Sequence, residues 1–135
     1  MRILVLAVGR LRAPFADDAD HYLKLLSRHA RVEVVEVDDD DRLARRIPER
    51  AHVVLLDEAG DAHDSRAFAR WLEQRRQSGL DLVFVIGGPF GTRLDGAHAR
   101  LSLGPMTLPF QLARVVLLEQ LYRAHKILAG EPYHH

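Results

Sequence analysis

A glycine-rich stretch at residues 87–91, Gly-Gly-Pro-Phe-Gly, is the sharpest candidate for contact with a ligand. It follows directly on residues 82–86, the most apolar strand-like segment of the chain. Glycines at the end of a strand let a ligand approach the backbone, and they also supply the positive φ angles of tight turns. The stretch lacks both the GxGxxG pattern of dinucleotide sites and the GK[ST] ending of phosphate loops. It therefore predicts either a simple turn or a ligand contact of another kind.

The segment 106–109, Met-Thr-Leu-Pro, is a second candidate, because the backbone of an edge segment that meets a helix can hydrogen-bond a planar ring such as adenine. Other catalytic patterns are missing from the sequence. The eight histidines form no HExxH or comparable metal pair, and no serine lies in a GxSxG motif. The absence of cysteine excludes thiolate metal sites and cysteine nucleophiles. We therefore expect no metal.

Alternating strand and helix patterns must position these two segments. Strands are predicted at residues 2–8, 32–37, 53–56, 82–86 and 106–108. Helices are predicted at residues 16–29, 42–47, 65–77 with Ser65 as its cap, 97–102 and 109–129. The alternation predicts an α/β fold with a mainly parallel sheet flanked by helices. Since ligands of such sheets bind beyond the carboxyl ends of the strands, the expected site comprises residues 57–60, 87–91 and 104–109.

Length and charge narrow the class of protein further. The 135 residues predict one domain, 1–135, and the longest apolar runs are too short to span a bilayer, so we expect a cytoplasmic protein. The 19 basic and 19 acidic residues give a formal net charge of zero. This balance argues against a protein that holds nucleic acid by overall charge. Arginines outnumber lysines by 17 to 2, which is typical of a coding bias and is weak evidence for RNA binding.

Six ordered motifs between residues 83 and 134 resemble a known family. They are Ile-Gly-Gly-Pro-Phe-Gly at 86–91, Leu-Ser at 101–102, Met-Thr-Leu-Pro at 106–109, Leu-Ala-Arg-Val at 112–115, Glu-Gln-Leu-Tyr-Arg-Ala at 119–124 and Pro-Tyr-His at 132–134. This string looks like the RlmH family, the ribosomal RNA large-subunit pseudouridine N3-methyltransferases of the SPOUT superfamily. Residues 5–9 and 56–57 agree with it too. Residues 38–50 look shorter than the family's usual basic helical segment.

The resemblance implies a SPOUT fold with a C-terminal trefoil knot, and a homodimer whose partner subunit completes each site. It also implies S-adenosylmethionine (SAM) as methyl donor and N3 of a pseudouridine in 23S ribosomal RNA as acceptor, on the assembled ribosome. The family's cofactor contacts fall here on Leu56, Gly88, Gly104, Pro105, Met106, Thr107, Leu108 and Pro109. Gly104 and Pro105 replace the small polar residues that are more usual there.

Three further residues match the family's catalytic region: Arg114, Tyr133 and His134. The resemblance implies that Arg114 binds a phosphate or the developing anion, and that His134 accepts a proton at neutral pH. The open alternatives are a surface salt bridge for Arg114 and packing against the partner for Tyr133. His135 stands where the family usually has a basic residue.

Two other functions remain open at this point. One is a nucleotide-binding or dimeric interaction module without catalysis, which binding of SAM would distinguish. The other is a SPOUT methyltransferase that acts on transfer RNA, which a comparison of RNA substrates would distinguish.

Overall fold

The computed structural model describes residues 1–88, 92 and 94–133, and this part of the chain alternates between strands and helices. The elements are β1 (Arg2–Val8), α1 (Phe15–Leu26), β2 (Arg31–Val37), α2 (Asp40–Arg45), β3 (Ala51–Ala62), α3 (Ser65–Gln77), β4 (Asp81–Ile86), β5 (Ala99–Ser102) and α4 (Phe110–Leu128). Every strand pairing is parallel, and the order across the sheet is β2-β1-β4-β3-β5. The predicted α/β fold with a mainly parallel sheet flanked by helices is confirmed.

The two central strands, β1 and β4, are buried on both faces. Residues 3–7 of β1 and 82–86 of β4 are at most 5% exposed. A continuous apolar run is the pattern that such doubly covered strands require. At the edge, β2 instead alternates exposed charged residues with half-buried valines. These patterns explain why the strand predictions at 2–8, 32–37 and 82–86 agree closely with the structure.

The helices cover the two faces of the sheet unequally. On one face, α1, α3 and α4 form a core with alternate residues of β1 and β4, and its largest contributions include Phe68, Phe84 and Leu117. On the other face, the short helix α2 inserts Leu43 among the remaining strand residues, with Leu94 and Ala97 beside it. No helix in the described part of the chain is long and apolar enough to cross a membrane.

Three predictions near the carboxyl ends of the strands are wrong. β3 continues through residues 57–60, which the sequence pattern assigns to a loop, and it ends only at Ala62. Residues 99–102 form β5 instead of a short helix, because pairing with β3 satisfies their backbone. Residues 106–108 form no strand, since no strand of the described chain pairs with them.

The two longer predicted helices at 65–77 and 109–129 are confirmed to within a residue. α3 is capped by Asp64 and not by Ser65, because the Asp64 carboxylate accepts a hydrogen bond from the Ala67 N–H at 2.8 Å. α4 ends before Gly130, whose φ of +68° favours glycine and stops the helix. α4 packs between α1 and α3, and its first turn faces the carboxyl edge of the sheet.

Candidate functional site

A cavity of about 720 Å³ opens at the carboxyl ends of β3, β4 and β5, where they meet the first turn of α4. A cavity of this size is in the range that holds a cofactor or small ligand. It lies where parallel α/β sheets usually bind their ligands. The residues that line it are Leu55, Leu56, Asp57, Glu58, Ile86, Gly87, Gly88, Thr92, Leu101, Leu103, Gly104, Met106, Thr107, Leu108, Pro109, Phe110 and Ala113.

The structure brings together most of the residues that the resemblance marks as cofactor contacts. Seven of the eight line the cavity: Leu56, Gly88, Gly104, Met106, Thr107, Leu108 and Pro109. The eighth, Pro105, is exposed and does not line the cavity. The three segments expected from the strand ends each contribute to the wall, although residues 89–91 lie outside the described residues.

The charged side chains among the described residues of the wall are acidic. Glu58 accepts a hydrogen bond from the Thr107 hydroxyl at 2.6 Å, and Asp57 pairs with Arg100 at 3.2 Å. Among the described lining residues there is no lysine, arginine or histidine. The cavity is therefore suited to a cationic or neutral ligand and poorly suited to a phosphate. The sequence prediction included Glu58 in the expected site as part of residues 57–60, but it did not predict the hydrogen bond with Thr107.

The buried side chain of Ser102 holds the beginning of segment 103–109 in place. Its hydroxyl lies within hydrogen-bond distance of the carbonyl oxygens of Glu58 (3.1 Å) and Gly104 (2.9 Å). The same hydroxyl accepts the Gly104 N–H at 3.1 Å. Gly104 itself has a φ of +133°, a conformation that favours glycine. These contacts hold the cavity-lining segment against the extension of β3.

Arg114 directly follows the first turn of α4, and it is only 1% exposed. Its guanidinium forms an ion pair with Glu36 at the end of β2 and donates to the Gly9 carbonyl at 3.0 Å. The Glu36 carboxylate also accepts the Leu11 N–H at 2.7 Å. The salt bridge of Arg114 is therefore a buried one and not the surface salt bridge of the open alternative, while its contact with a phosphate or anion stays a prediction. It joins α4 to the ends of β1 and β2.

Tyr133 packs against its own helix α4. Its hydroxyl donates to Glu119 at 2.9 Å, and the guanidinium of Arg123 stacks 4.3 Å from its ring centre. Burial, followed by the hydrogen bond to Glu119, raises the pKa of Tyr133 above its ordinary value. The phenol therefore stays protonated at neutral pH, and its proton is directed at Glu119. The predicted proton acceptor, His134, lies outside the described residues.

No group of side chains in the described residues could hold a metal ion. A family model described as predicted SPOUT methyltransferase matches residues 1–134, nearly the whole chain. The chain belongs to the SPOUT methyltransferase family. The parallel sheet flanked by helices is consistent with this family.

Curated relatives of this SPOUT methyltransferase match it along nearly their full length. The protein named ribosomal RNA large subunit methyltransferase H from Rubrobacter xylanophilus is 47% identical, over 98% of each chain. Proteins of the same name from Pelobacter propionicus and Gemmatimonas aurantiaca are 42% and 40% identical, over at least 99% of each chain. The alignments extend over 153 or 154 positions, more than the 135 residues present here. The relatives therefore contain residues that have no counterpart in this chain.

Proposed function

We propose that this chain is a single-domain, SAM-dependent methyltransferase that modifies N3 of a pseudouridine in 23S ribosomal RNA, with the assembled ribosome as substrate. The relatives of the chain are named as methyltransferases of the large-subunit ribosomal RNA, and these names support ribosomal RNA as the methyl acceptor. The observation that supports SAM as the methyl donor is the acidic and apolar cavity at the carboxyl edge of the sheet. No comparable observation favours a non-catalytic module or a transfer RNA substrate.

The residues of the cavity fit SAM in shape and in charge. Leu56 and Leu108 offer apolar surface to an adenine ring, and the backbone of residues 104–108 offers hydrogen-bonding groups to its edge. Gly88 contributes only backbone to the cavity wall, which lets the ribose and methionine portion approach closely there. The carboxylates of Asp57 and Glu58 suit a ligand that carries a positive sulfonium and an ammonium group.

SAM supplies an activated methyl group, and the chain must orient the acceptor nitrogen in line with it. Orientation of this kind lowers the activation free energy by several kcal/mol, and by about 7–11 kcal/mol in the best cases. N3 must also lose its proton, and His134 is the proposed acceptor because Tyr133 is held protonated. Tyr133 is proposed to position the tail and to donate a hydrogen bond. Arg114 is proposed as a positioning residue that holds the first turn of α4 against Gly9.

We further propose the C-terminal trefoil knot and the homodimer that the resemblance implies. The position of Tyr133 supports the dimer, because the tail lies along α4 at Glu119, six residues beyond Ala113 in the cavity wall. The tail is therefore proposed to act on the cavity of a partner subunit. Each site would then combine the cavity of one subunit with the tail of the other.

Calorimetric titration tests the donor site. SAM and S-adenosylhomocysteine should both bind, whereas ATP should not, because the described residues of the wall would place the carboxylates of Asp57 and Glu58, and no basic side chain, against its phosphates. Labelled SAM should then transfer its methyl group to ribosomes, and the label should map to a pseudouridine of 23S RNA. Absence of SAM binding at high micromolar concentration would refute the enzyme, and label confined to transfer RNA would refute the substrate.

A further inference from the structure

A groove of about 280 Å³ runs between the end of β2 and helix α2, on the carboxyl side of the sheet. We call it the arginine groove and define it by its lining residues, Glu36, Val37, Asp38, Arg42, Arg45 and Arg46. Three of these six side chains are guanidinium groups, although the whole chain has no net charge. The proposed methyltransferase site does not use this groove.

The acidic groups of the groove are already paired. Glu36 is bound by the buried Arg114 and by the Leu11 N–H, and Asp38 forms an ion pair with Arg42 at 2.7 Å. By contrast, no hydrogen bond or ion pair within the described residues engages the guanidinium of Arg45 or Arg46. The groove therefore presents two uncompensated positive charges to solvent.

Helix α2 separates its charges along its length. Asp39 caps the helix by accepting the Arg42 N–H at 2.8 Å, and Asp40 accepts the Thr92 hydroxyl at 2.8 Å. The aspartates thus stabilise the beginning of α2, while Arg45 and Arg46 lie at its end. This arrangement of charges suits the helix dipole.

The arginine groove is connected to the cofactor cavity by two sets of contacts. Thr92 lines the cavity and also binds Asp40 at the start of α2. The loop 9–12 contacts both sides, since Leu11 N–H donates to Glu36 in the groove and Arg12 N–H donates to Gln111 in the first turn of α4. The side chains of Arg10 and Arg12 in this loop are exposed.

We propose that the arginine groove, together with Arg10 and Arg12, binds backbone phosphates of the RNA whose nucleotide enters the cofactor cavity. Guanidinium groups match phosphate geometry through paired hydrogen bonds, and phosphate contacts set the register of a nucleic acid on a protein. A local cluster on the same side of the sheet as the cavity explains how a chain without net charge can hold RNA. This inference rests on the proposed function, which identifies the substrate as RNA.

The test compares two double variants with the same change in charge. Arg45→Gln with Arg46→Gln removes the groove charges, and Arg28→Gln with Arg31→Gln removes two exposed charges at the opposite, amino edge of the sheet. Binding to naked 23S RNA is measured over a range of salt concentrations. The groove variant should bind about tenfold more weakly at physiological salt, with a salt slope shallower by about two. The control should stay within about twofold of the native protein.

Two further measurements separate a loss of RNA binding caused by the missing charges from one caused by misfolding. Arg45→Lys with Arg46→Lys should retain most of the salt slope, and SAM titration should give the same affinity for all three variants, which shows that they are folded. Equal losses in the groove and control variants would overturn the inference, as would unchanged RNA binding in the groove variant. Failure of the native protein to bind SAM or to methylate ribosomes would instead refute the proposed function, and the RNA-binding comparison would still decide the groove.

Discussion

Arg114 shows how one buried charge organises the carboxyl edge of the sheet. Its guanidinium binds Glu36 and the Gly9 carbonyl, and Glu36 in turn holds the Leu11 N–H. These contacts join α4, β1 and β2 beside the cavity. The two partners differ in burial, since the Arg114 side chain is 1% exposed and that of Glu36 is 36% exposed. This asymmetry makes the ion pair testable from its two sides.

We predict that Glu36→Gln destabilises the protein more than Arg114→Met. Glu36→Gln leaves a cation buried without a counterion, a change that costs about 3–5 kcal/mol of unfolding free energy. Arg114→Met leaves a carboxylate that water can reach and replaces the cation by a side chain that fills the space, so the expected loss is about half of that. Urea unfolding of both variants measures the difference. The reverse order would show that Arg114 is not the desolvated partner.

At the scale of the elements, the extension of β3 beyond Leu56 shapes the cavity wall. It resumes pairing with β5 at Asp61 after a shift in register, and Gly60 lies inside this irregular stretch. A Cβ atom on Gly60 would lie 2.7 Å from the carbonyl carbon of Arg100 and 2.8 Å from its oxygen. Two strands approach closely here, and only glycine fits without a backbone shift.

We predict that Gly60→Ala lowers the unfolding free energy by about 1–3 kcal/mol, because the clash with Arg100 is with backbone and cannot be relieved by a rotamer. Gly88→Ala is the matched control, since its Cβ would contact Val8 at an ordinary 3.4 Å. Urea unfolding should separate the two variants clearly. Equal stability of both would mean that β5 moves away from Gly60 at no cost.

How far the elements could be predicted depends on where their information lies. The apolar runs of β1 and β4 and the apolar stripe of α4 specify their own burial, so the sequence predicted these elements and the parallel sheet. β5 has only four residues, and its pairing depends on β3. His98 extends that pairing, because its backbone N–H donates to the Val53 carbonyl and its ring Nδ1 accepts the Val53 backbone N–H. Contacts of this kind leave no periodic signal.

The candidate site divides in the same way. The family motifs located seven residues of the cavity wall, including Leu56 and Leu108, because their order along the chain is specific. The motifs did not show that Glu58 binds Thr107, nor that Arg114 is buried. Both facts depend on how β3 and α4 pack after folding. Most residues of the cavity wall were therefore predictable, whereas the pairing of Glu58 and the burial of Arg114 were not.

For the whole molecule, the separation between the tail and the cavity leads to a prediction about subunits. We expect a dimer by sedimentation, with twice the 15.3 kDa mass of one chain.

Deletion of residues 133–135 should spare SAM binding and abolish methyl transfer. Leu56→Arg should abolish SAM binding by filling the cavity, while it leaves the tail intact.

Mixing the two inactive variants distinguishes a tail that acts on the partner from one that acts on its own subunit. In a mixed dimer, the intact cavity and the intact tail belong to different subunits. If the partner completes the site, an equal mixture should recover about a quarter of native activity, since half of the dimers are mixed and each has one complete site. No recovery in the presence of verified mixed dimers would refute the composite site.

The strand order also has a consequence for synthesis of the chain. β1 is the first element to be made, yet its central neighbour is β4, and Ile3 pairs with Leu82. The middle of the sheet therefore stays open until more than half of the chain has left the ribosome. Until then, one edge of the apolar strand β1 has no partner, and such contacts between distant residues make folding slow. An unpaired strand edge of this kind exposes the nascent chain to aggregation during that interval.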